Sequence, residues 1–314
     1  MRTPMIFPGQ ASQFVGMAAD LYESHELARQ RFDQANEALD FDLKRLCFEG
    51  PLEELTETRY AQPAILVASA LAFDYLTSRG MEPSIVAGHS LGEYSALVAA
   101  GVLRFEDALS LVTLRGRLMF ESGEKTPGTM AAVLGLGRQD VEAACETAAQ
   151  GEVLQLANLN SPAQMVISGA VEAVARGMEA CMEAGAKKVV PLPVSGAFHS
   201  QLMASAAGEL AAKLETTEFS EASIPVIANV TAQPTTSGDE LKQLLIEQLT
   251  RPVLWSDSMQ HLIGNSEEAS ILEVGPGRVL MGLMRQIDRS VKVLPLGSLE
   301  ALEDYCGQEK EAGA

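Results

Sequence analysis

A serine stands at the centre of Gly88-His89-Ser90-Leu91-Gly92, directly after the apolar run Ile85-Val86-Ala87 and before a helix-compatible run from Glu93 to Ala100. When a buried strand turns into a helix with small residues around a serine, the bend is tight. It lifts the hydroxyl clear of the sheet and aims the helix N-terminus at it. That arrangement suits acyl transfer, in which an oxygen attacks a carbonyl and donors must meet the tetrahedral oxyanion. The backbone N–H of Leu91, at the helix start, is one donor the elbow provides. The nucleophile also needs a base, and the chain has only four histidines: His25, His89, His199 and His261. His89 sits on the incoming backbone, from which its ring does not readily reach the serine hydroxyl. His25 lies in a polar helical context and His261 in an ordinary amphipathic stretch. His199 is left. It follows the small-residue hinge Ser195-Gly196-Ala197 at the start of a helix, where it can face Ser90 across a cleft. No aspartate or glutamate announces itself as a third member.

The frame for this chemistry is a chain of 314 residues, 47% of them hydrophobic, too long for one core. One large domain with a smaller insertion is expected. Twenty-three basic against forty-two acidic residues leave a net charge of −19, which argues against nucleic acid or an anionic membrane as partner. The start, MRTPMIFPGQ, has too short an apolar stretch for a signal peptide, and no run approaches the ~18 apolar residues of a spanning helix. A cytoplasmic location is expected. Cys47, Cys145, Cys181 and Cys306 are scattered without the close pairs of zinc sites, so free thiols and no metal are expected. Gly275-Pro276-Gly277 lacks the Gly-Lys-Ser/Thr ending of a phosphate cradle and reads as a structural turn.

Along the chain, Pro4 to Pro8 reads as a short strand, followed by the loop Gly9-Gln10-Ala11-Ser12-Gln13. Helices are expected over Ala18–Leu39, over Ala61–Ser78, whose Ile65, Leu66, Ala68, Leu71, Ala72 and Leu76 recur at helical spacing, and over Phe105–Phe120. Residues 121–128 form a polar break punctuated by Gly and Pro. Then come strand 129–135, helix 138–149, strands 153–159 and 164–168, helix 170–184 and strand 187–194. That order is βαββαβ, the ferredoxin-like pattern. Inserted into an α/β core it makes a cleft between two bodies, where ligands usually bind. A helix to Glu215 and strands near 225–230 and 270–274 complete the core, and the acidic stretch Leu299–Ala314 is expected to fray.

Arg115 lies on the helix 105–120, whose Leu109, Val112 and Phe120 would face the core. An arginine near such a face needs a carboxylate partner.

At this point the chain resembles the malonyl-CoA:acyl carrier protein transacylases over Phe7 to about Leu283. The marks are Phe7-Pro-Gly-Gln10-Ala-Ser-Gln13, Gln62-Pro-Ala, Gly88-His-Ser-Leu-Gly-Glu93, Arg115-Gly-Arg-Leu-Met119, Asn158-Leu-Asn-Ser-Pro162, Gly196-Ala-Phe-His199-Ser, Gln248-Leu-Thr-Arg-Pro-Val-Leu-Trp255 and Val274-Gly-Pro-Gly277. One departure is Ala11, where the family usually has a second glycine; if φ > 0 is required there, alanine is strained. The implied fold is an α/β-hydrolase-like core with a parallel sheet and nucleophile elbow, residues 1–125 and 197–314, with a ferredoxin-like subdomain at 126–196.

The resemblance also implies the remaining roles. The backbone carbonyl of Gln248 orients His199, and the N–H of Gln10 joins that of Leu91 at the oxyanion. Arg115 is the planar fork for a malonyl carboxylate, and Gln62, Met119 and Asn160 line the same pocket. Phe198 suits a compact unbranched acyl unit. The implied reaction is ping-pong, from malonyl-CoA through a malonyl-Ser90 ester to the thiol of acyl carrier protein in fatty-acid synthesis, with no cofactor beyond the coenzyme A thioester. Rivals are an acyltransferase of polyketide synthesis, an acyl-thioester serine hydrolase and a catalytically idle docking module. Lys187, Lys188, Arg176 and Arg251 are candidates for a local basic face toward an acidic carrier.

Overall fold

The computed structural model describes residues 2–194, 196–264 and 270–312. Strand β1 (Arg2–Phe7) is buried from its second residue onward and runs into the Gly9 loop. The helix expected over Ala18–Leu39 forms as two, α1 (Ala19–Ser24) and α2 (Glu26–Ala38). The extended backbone of His25 (φ −129°, ψ 119°) ends the first and starts the second. After α3 (Leu43–Glu49) and α4 (Leu52–Thr56) comes α5 (Thr58–Ser78), buried on nearly every face. Strand β2 (Glu82–Gly88) leads through Ser90 into α6 (Gly92–Ala99), and α7 (Phe105–Lys125) follows. This last helix overruns the break expected at 121–128. Glu121 is bonded by both Arg117 and Lys125 at i,i+4 spacing, which supports the extra turn.

The next six elements follow the expected order: β3 (Gly128–Leu134), α8 (Arg138–Ala149), β4 (Leu154–Ser161), β5 (Gln164–Ala170), α9 (Val171–Glu183) and β6 (Lys188–Pro191). They build a four-stranded sheet in the order β4-β5-β3-β6 with every neighbouring pair antiparallel. Side chains alternate across a strand, and here the alternation divides two cores. Ala131, Val133, Met165 and Ile167 pack with α8 and α9, whereas Met130 and Val166 face the larger body. β6 is shorter than the expected 187–194, because pairing with β3 ends at Pro191. Ser195 of the expected hinge lies outside the described residues.

The chain returns through a 3₁₀ turn (Gln201–Met203), α10 (Ala204–Thr216), β7 (Val226–Ile227), β8 (Pro234–Thr235), α11 (Gly238–Glu247), α12 (Trp255–Gly264), β9 (Ser270–Val274), α13 (Val279–Ile287) and β10 (Lys292–Leu296). The larger sheet runs β10-β9-β1-β2-β7-β8, parallel except for the antiparallel β8 at its edge. Gly275 (φ 133°) and Gly277 (φ 79°) make the turn after β9. The stretch expected to fray is instead helix α14 (Leu299–Ala312). Leu302, Tyr305 and Cys306, at helical spacing, are buried against the core, which anchors it despite its acidic composition. Among the described residues no helix is long and apolar enough to cross a membrane.

The elbow is set by close backbone crossings that only glycine permits. A Cβ on Gly88 would lie 1.9 Å from the Gly92 carbonyl, and one on Gly92 would lie 2.1 Å from the Phe7 carbonyl oxygen. Gly208, inside α10, meets nothing within 4 Å. Gly92→Ala should therefore destabilise by at least about 1–3 kcal/mol through overpacking, while Gly208→Ala should stabilise by about 0.5–1 kcal/mol. Thermal melts of the two variants check this; shifts of the same sign would contradict the crossing.

Candidate active site

Ser90 takes φ 51°, a left-handed conformation that costs a non-glycine residue about 1 kcal/mol or more. Side chains hold both of its peptide groups. The Ser90 N–H donates to Asn229 Oδ1 at 2.7 Å, and Gln248 Nε2 donates to the Ser90 carbonyl at 2.9 Å. Asn229 Nδ2 also donates to the Gly88 carbonyl at 2.6 Å, so one asparagine clamps the turn on both sides.

His199 faces the serine from the segment between β6 and α10, itself at φ 55°. Its Nδ1 is 2.9 Å from the Gln248 carbonyl and its Nε2 is 2.7 Å from Ser90 Oγ. A carbonyl only accepts, so Nδ1 carries the proton in the neutral ring. Nε2 is then the acceptor, aimed at the Ser90 O–H. Burial first, and then the positive charge of Arg115, push His199 down to about 3. The ring is a neutral acceptor at any ordinary pH.

The other three histidines stay out of this contact. His89 Nε2 is 2.8 Å from Asn160 Oδ1, and its ring lies edge-on to Trp255 at 5.3 Å. His25 stacks edge-on against Tyr75, and His261 lies in the last turn of α12.

Arg115 is 1% exposed, deep in α7. Among the described residues, the carboxylate partner expected for it is not in contact. It donates instead to three neutral acceptors: Gln62 Oε1 at 2.8 Å, Gln248 Oε1 at 3.0 Å and Ser90 Oγ at 3.0 Å. Its Nε has no partner among the described residues. A buried guanidinium without a contacting anion is an arrangement that favours arrival of one.

These groups open on a cavity of about 330 Å³ between the two sheets, lined by Gln10, Ser90, Leu91, Arg115, Met119, Asn160, Phe198 and His199. Met130 and Val166 from the small sheet and Leu280 and Leu283 from α13 form apolar walls. Neither the Gln10 nor the Leu91 N–H has a partner among the described residues. Gly9 brings the first of them close, since a Cβ there would lie 2.4 Å from the His89 carbonyl oxygen. Gln10 Nε2 is tied back to Thr58 at 3.1 Å. Ala11 does take φ 78°, so the alanine that stands there is strained. Gln62, with no exposure, lies behind the cavity and donates to Met119 Sδ at 3.2 Å while it accepts from Arg115.

Two participants escaped sequence reasoning. Asn229 carried no signal beyond a polar residue within Ile227-Ala-Asn-Val230. Glu93 did carry one, as a carboxylate in the otherwise apolar helix GEYSALVA, now 1% exposed.

Two bodies, an elbow serine and a histidine delivered from the far side of an inserted sheet define an acyl-transfer architecture. The sequence profile of the acyl transferase domain family matches residues 5–297, and the chain belongs to that family. Within it, the chain is 46% identical over 283 residues to the malonyl CoA-acyl carrier protein transacylase of Escherichia coli K12, covering 90% of this chain and 91% of that one. It is 44% identical over 299 residues to the corresponding transacylase of Bacillus subtilis strain 168, covering 95% and 94%. Among solved structures, an acyl carrier protein S-malonyltransferase from Vibrio cholerae superposes with a TM-score of 0.93 at 42% identity, covering 97% of this chain and all (100%) of that one. A malonyl-transacylase solved in complex with its type II PKS acyl-carrier protein gives 0.93 at 40% identity, covering 98% and 100%.

Because His199 is held neutral, labelling of Ser90 by a neutral fluorophosphonate should keep its rate from pH 8 down to pH 5. An ordinary histidine, near 6.5, would lose about tenfold by pH 5.5. A rate that falls with an apparent pKa near 6.5 would contradict the buried, neutral base.

Proposed function

We propose that this chain moves a malonyl group from coenzyme A to the phosphopantetheine thiol of an acyl carrier protein, through an ester on Ser90. The observation that carries the reading is Arg115, buried with a hydrogen bond to the reacting oxygen and no contacting carboxylate among the described residues. Similarity to malonyl transacylases, one of them bound to a carrier protein, supports it.

In the first half-reaction Ser90 Oγ attacks the thioester carbonyl and passes its proton to His199 Nε2. The oxyanion meets the free N–H groups of Leu91 and Gln10. As the C–S bond breaks, His199 returns the proton to the departing thiol. In the second half the phosphopantetheine thiol gives its proton to His199 and attacks the Ser90 ester, restoring the hydroxyl. The Gln248 carbonyl fixes the tautomer throughout. It supplies less stabilisation to imidazolium than a buried carboxylate would, and a thioester demands less than an amide does. Met119, Asn160 and Phe198 bound the acyl pocket, with Gln62 holding Arg115 in place.

The same reading takes 1–125 and 197–314 as an α/β-hydrolase-like core and 126–196 as a ferredoxin-like insert, in keeping with the strand order β4-β5-β3-β6. Coenzyme A enters as substrate and no further cofactor is needed. Buried thiols at Cys47, Cys145 and Cys181, none of them in a disulfide, agree with work in the cytoplasm. Of the candidate basic face, Arg176 is bonded to Glu152 and Arg251 to Glu247, while Lys187 and Lys188 are exposed. The carrier-facing patch is therefore centred on the two lysines.

Arg115→Ala should lower kcat/KM for malonyl-CoA by about two to three and a half decades, from the roughly 3–5 kcal/mol of a broken buried charge pair. It should leave acetyl-CoA no worse than in wild type. Steady-state kinetics with both thioesters, beside a melting curve, measure this; an unchanged malonyl-to-acetyl ratio would remove the clamp from Arg115.

A further inference from the structure

Glu93 stands in the first turn of α6, and no described residue lining the cavity is acidic. Its Oε2 accepts from Gln248 Nε2 at 2.6 Å and from the Asn229 backbone N–H at 3.4 Å. Those two partners are the ones that hold the strained peptide of Ser90, one at its carbonyl and the other at its N–H. Gln248 in addition turns its Oε1 to Arg115 and its carbonyl to His199. A single primary amide thus stands between the carboxylate and the guanidinium, bonded to each. The carboxylate is near enough to balance the charge, and it leaves the arginine fork free of an anion.

We propose that Glu93 is a positioning residue that exchanges its charge for that of the substrate: ionised in the empty site above neutral pH, it there takes up one proton when a carboxylate-bearing acyl group pairs with Arg115, and releases it when that group leaves. The proton comes from solvent and returns there, so one negative charge faces one positive charge in both states. This rests on the reading of Arg115 as a carboxylate clamp. Two buried anions beside one buried cation would leave one of them uncompensated in a medium of low dielectric, which the site avoids by protonation.

The charged and titratable groups that act on Glu93 are Arg115 from α7 and Tyr94 from its own helix, while the rings of His89 and His199 are bonded elsewhere. Burial pushes Glu93 up to about 7, against the pull of Gln248, Asn229 and Arg115. A substrate carboxylate cancels the Arg115 contribution and raises it further. His89 and His199 are both lowered by burial and Tyr94 is pushed up to about 12. Glu93 is left as the group that titrates near neutrality.

The test compares KM for malonyl-CoA and for malonamyl-CoA, its amide isostere, between pH 6 and pH 9, in wild type and in Glu93→Gln. In wild type, KM for malonyl-CoA should rise with pH above about 7, by up to about tenfold per pH unit, while that for malonamyl-CoA stays level. In Glu93→Gln both should be level, because glutamine still accepts from Gln248 and has no proton to exchange. A level malonyl-CoA curve in wild type, a slope shared by the amide, or a slope that survives in Glu93→Gln would each overturn the proposal. If Glu93→Gln does not fold, the two wild-type curves decide alone. Failure of the proposed function would look different, as no malonyl transfer at any pH.

Discussion

A buried guanidinium whose contacts among the described residues are all neutral acceptors is the constraint on which this site depends. Burial costs a charge several kcal/mol unless an anion compensates it, yet Arg115 keeps its fork on Gln62, Gln248 and Ser90. One of those contacts is the hydroxyl proposed to react. Specificity and chemistry therefore meet in a single oxygen, held between a cation at 3.0 Å and a base at 2.7 Å. Glu93, kept one amide away, makes the charge tolerable without occupying the place of the substrate.

Two bodies are needed to hold this arrangement. The parallel sheet carries Ser90 in the turn that follows β2, beside β1, whose continuation brings Gln10. α7 supplies Arg115 from within the same body. The antiparallel sheet adds the far wall, fixed by backbone bonds from β4 to Val253 and by the His89–Asn160 contact across the cleft. Strain at Ser90 and His199, both at positive φ, persists because Asn229, Gln248 and the Gln248 carbonyl hold them from several directions.

Much of this was legible in the residues. The elbow could be read because a strand, a small-residue turn and a helix follow one another locally, and His199 because histidines are scarce. The βαββαβ order was legible because each element is short and bounded by turn residues. Elements held by tertiary contact were not. The split of α1 from α2 turns on one extended residue, the last turn of α7 on side-chain pairs, and α14 on three buried residues in an acidic stretch. Within the site, Asn229 and the side chain of Gln248 meet Ser90, Glu93 and Arg115 more than a hundred residues away in sequence, which no local pattern encodes. Arg115 was legible as a buried clamp only through the resemblance, since most helical arginines lie on the surface, and its missing contact carboxylate was not legible at all, since that depends on where Glu93 and Gln248 meet.

The central claim is that Ser90 carries an acyl group chosen by the charge on Arg115. Its most direct test is intact mass spectrometry of the wild-type protein after brief exposure to equal concentrations of malonyl-CoA and acetyl-CoA, with Ser90→Ala beside it. The account predicts a gain of one malonyl group, mapped to the Ser90 peptide, with little acetyl and no adduct in Ser90→Ala. Comparable acetyl and malonyl adducts, or a malonyl group retained in Ser90→Ala, would contradict it.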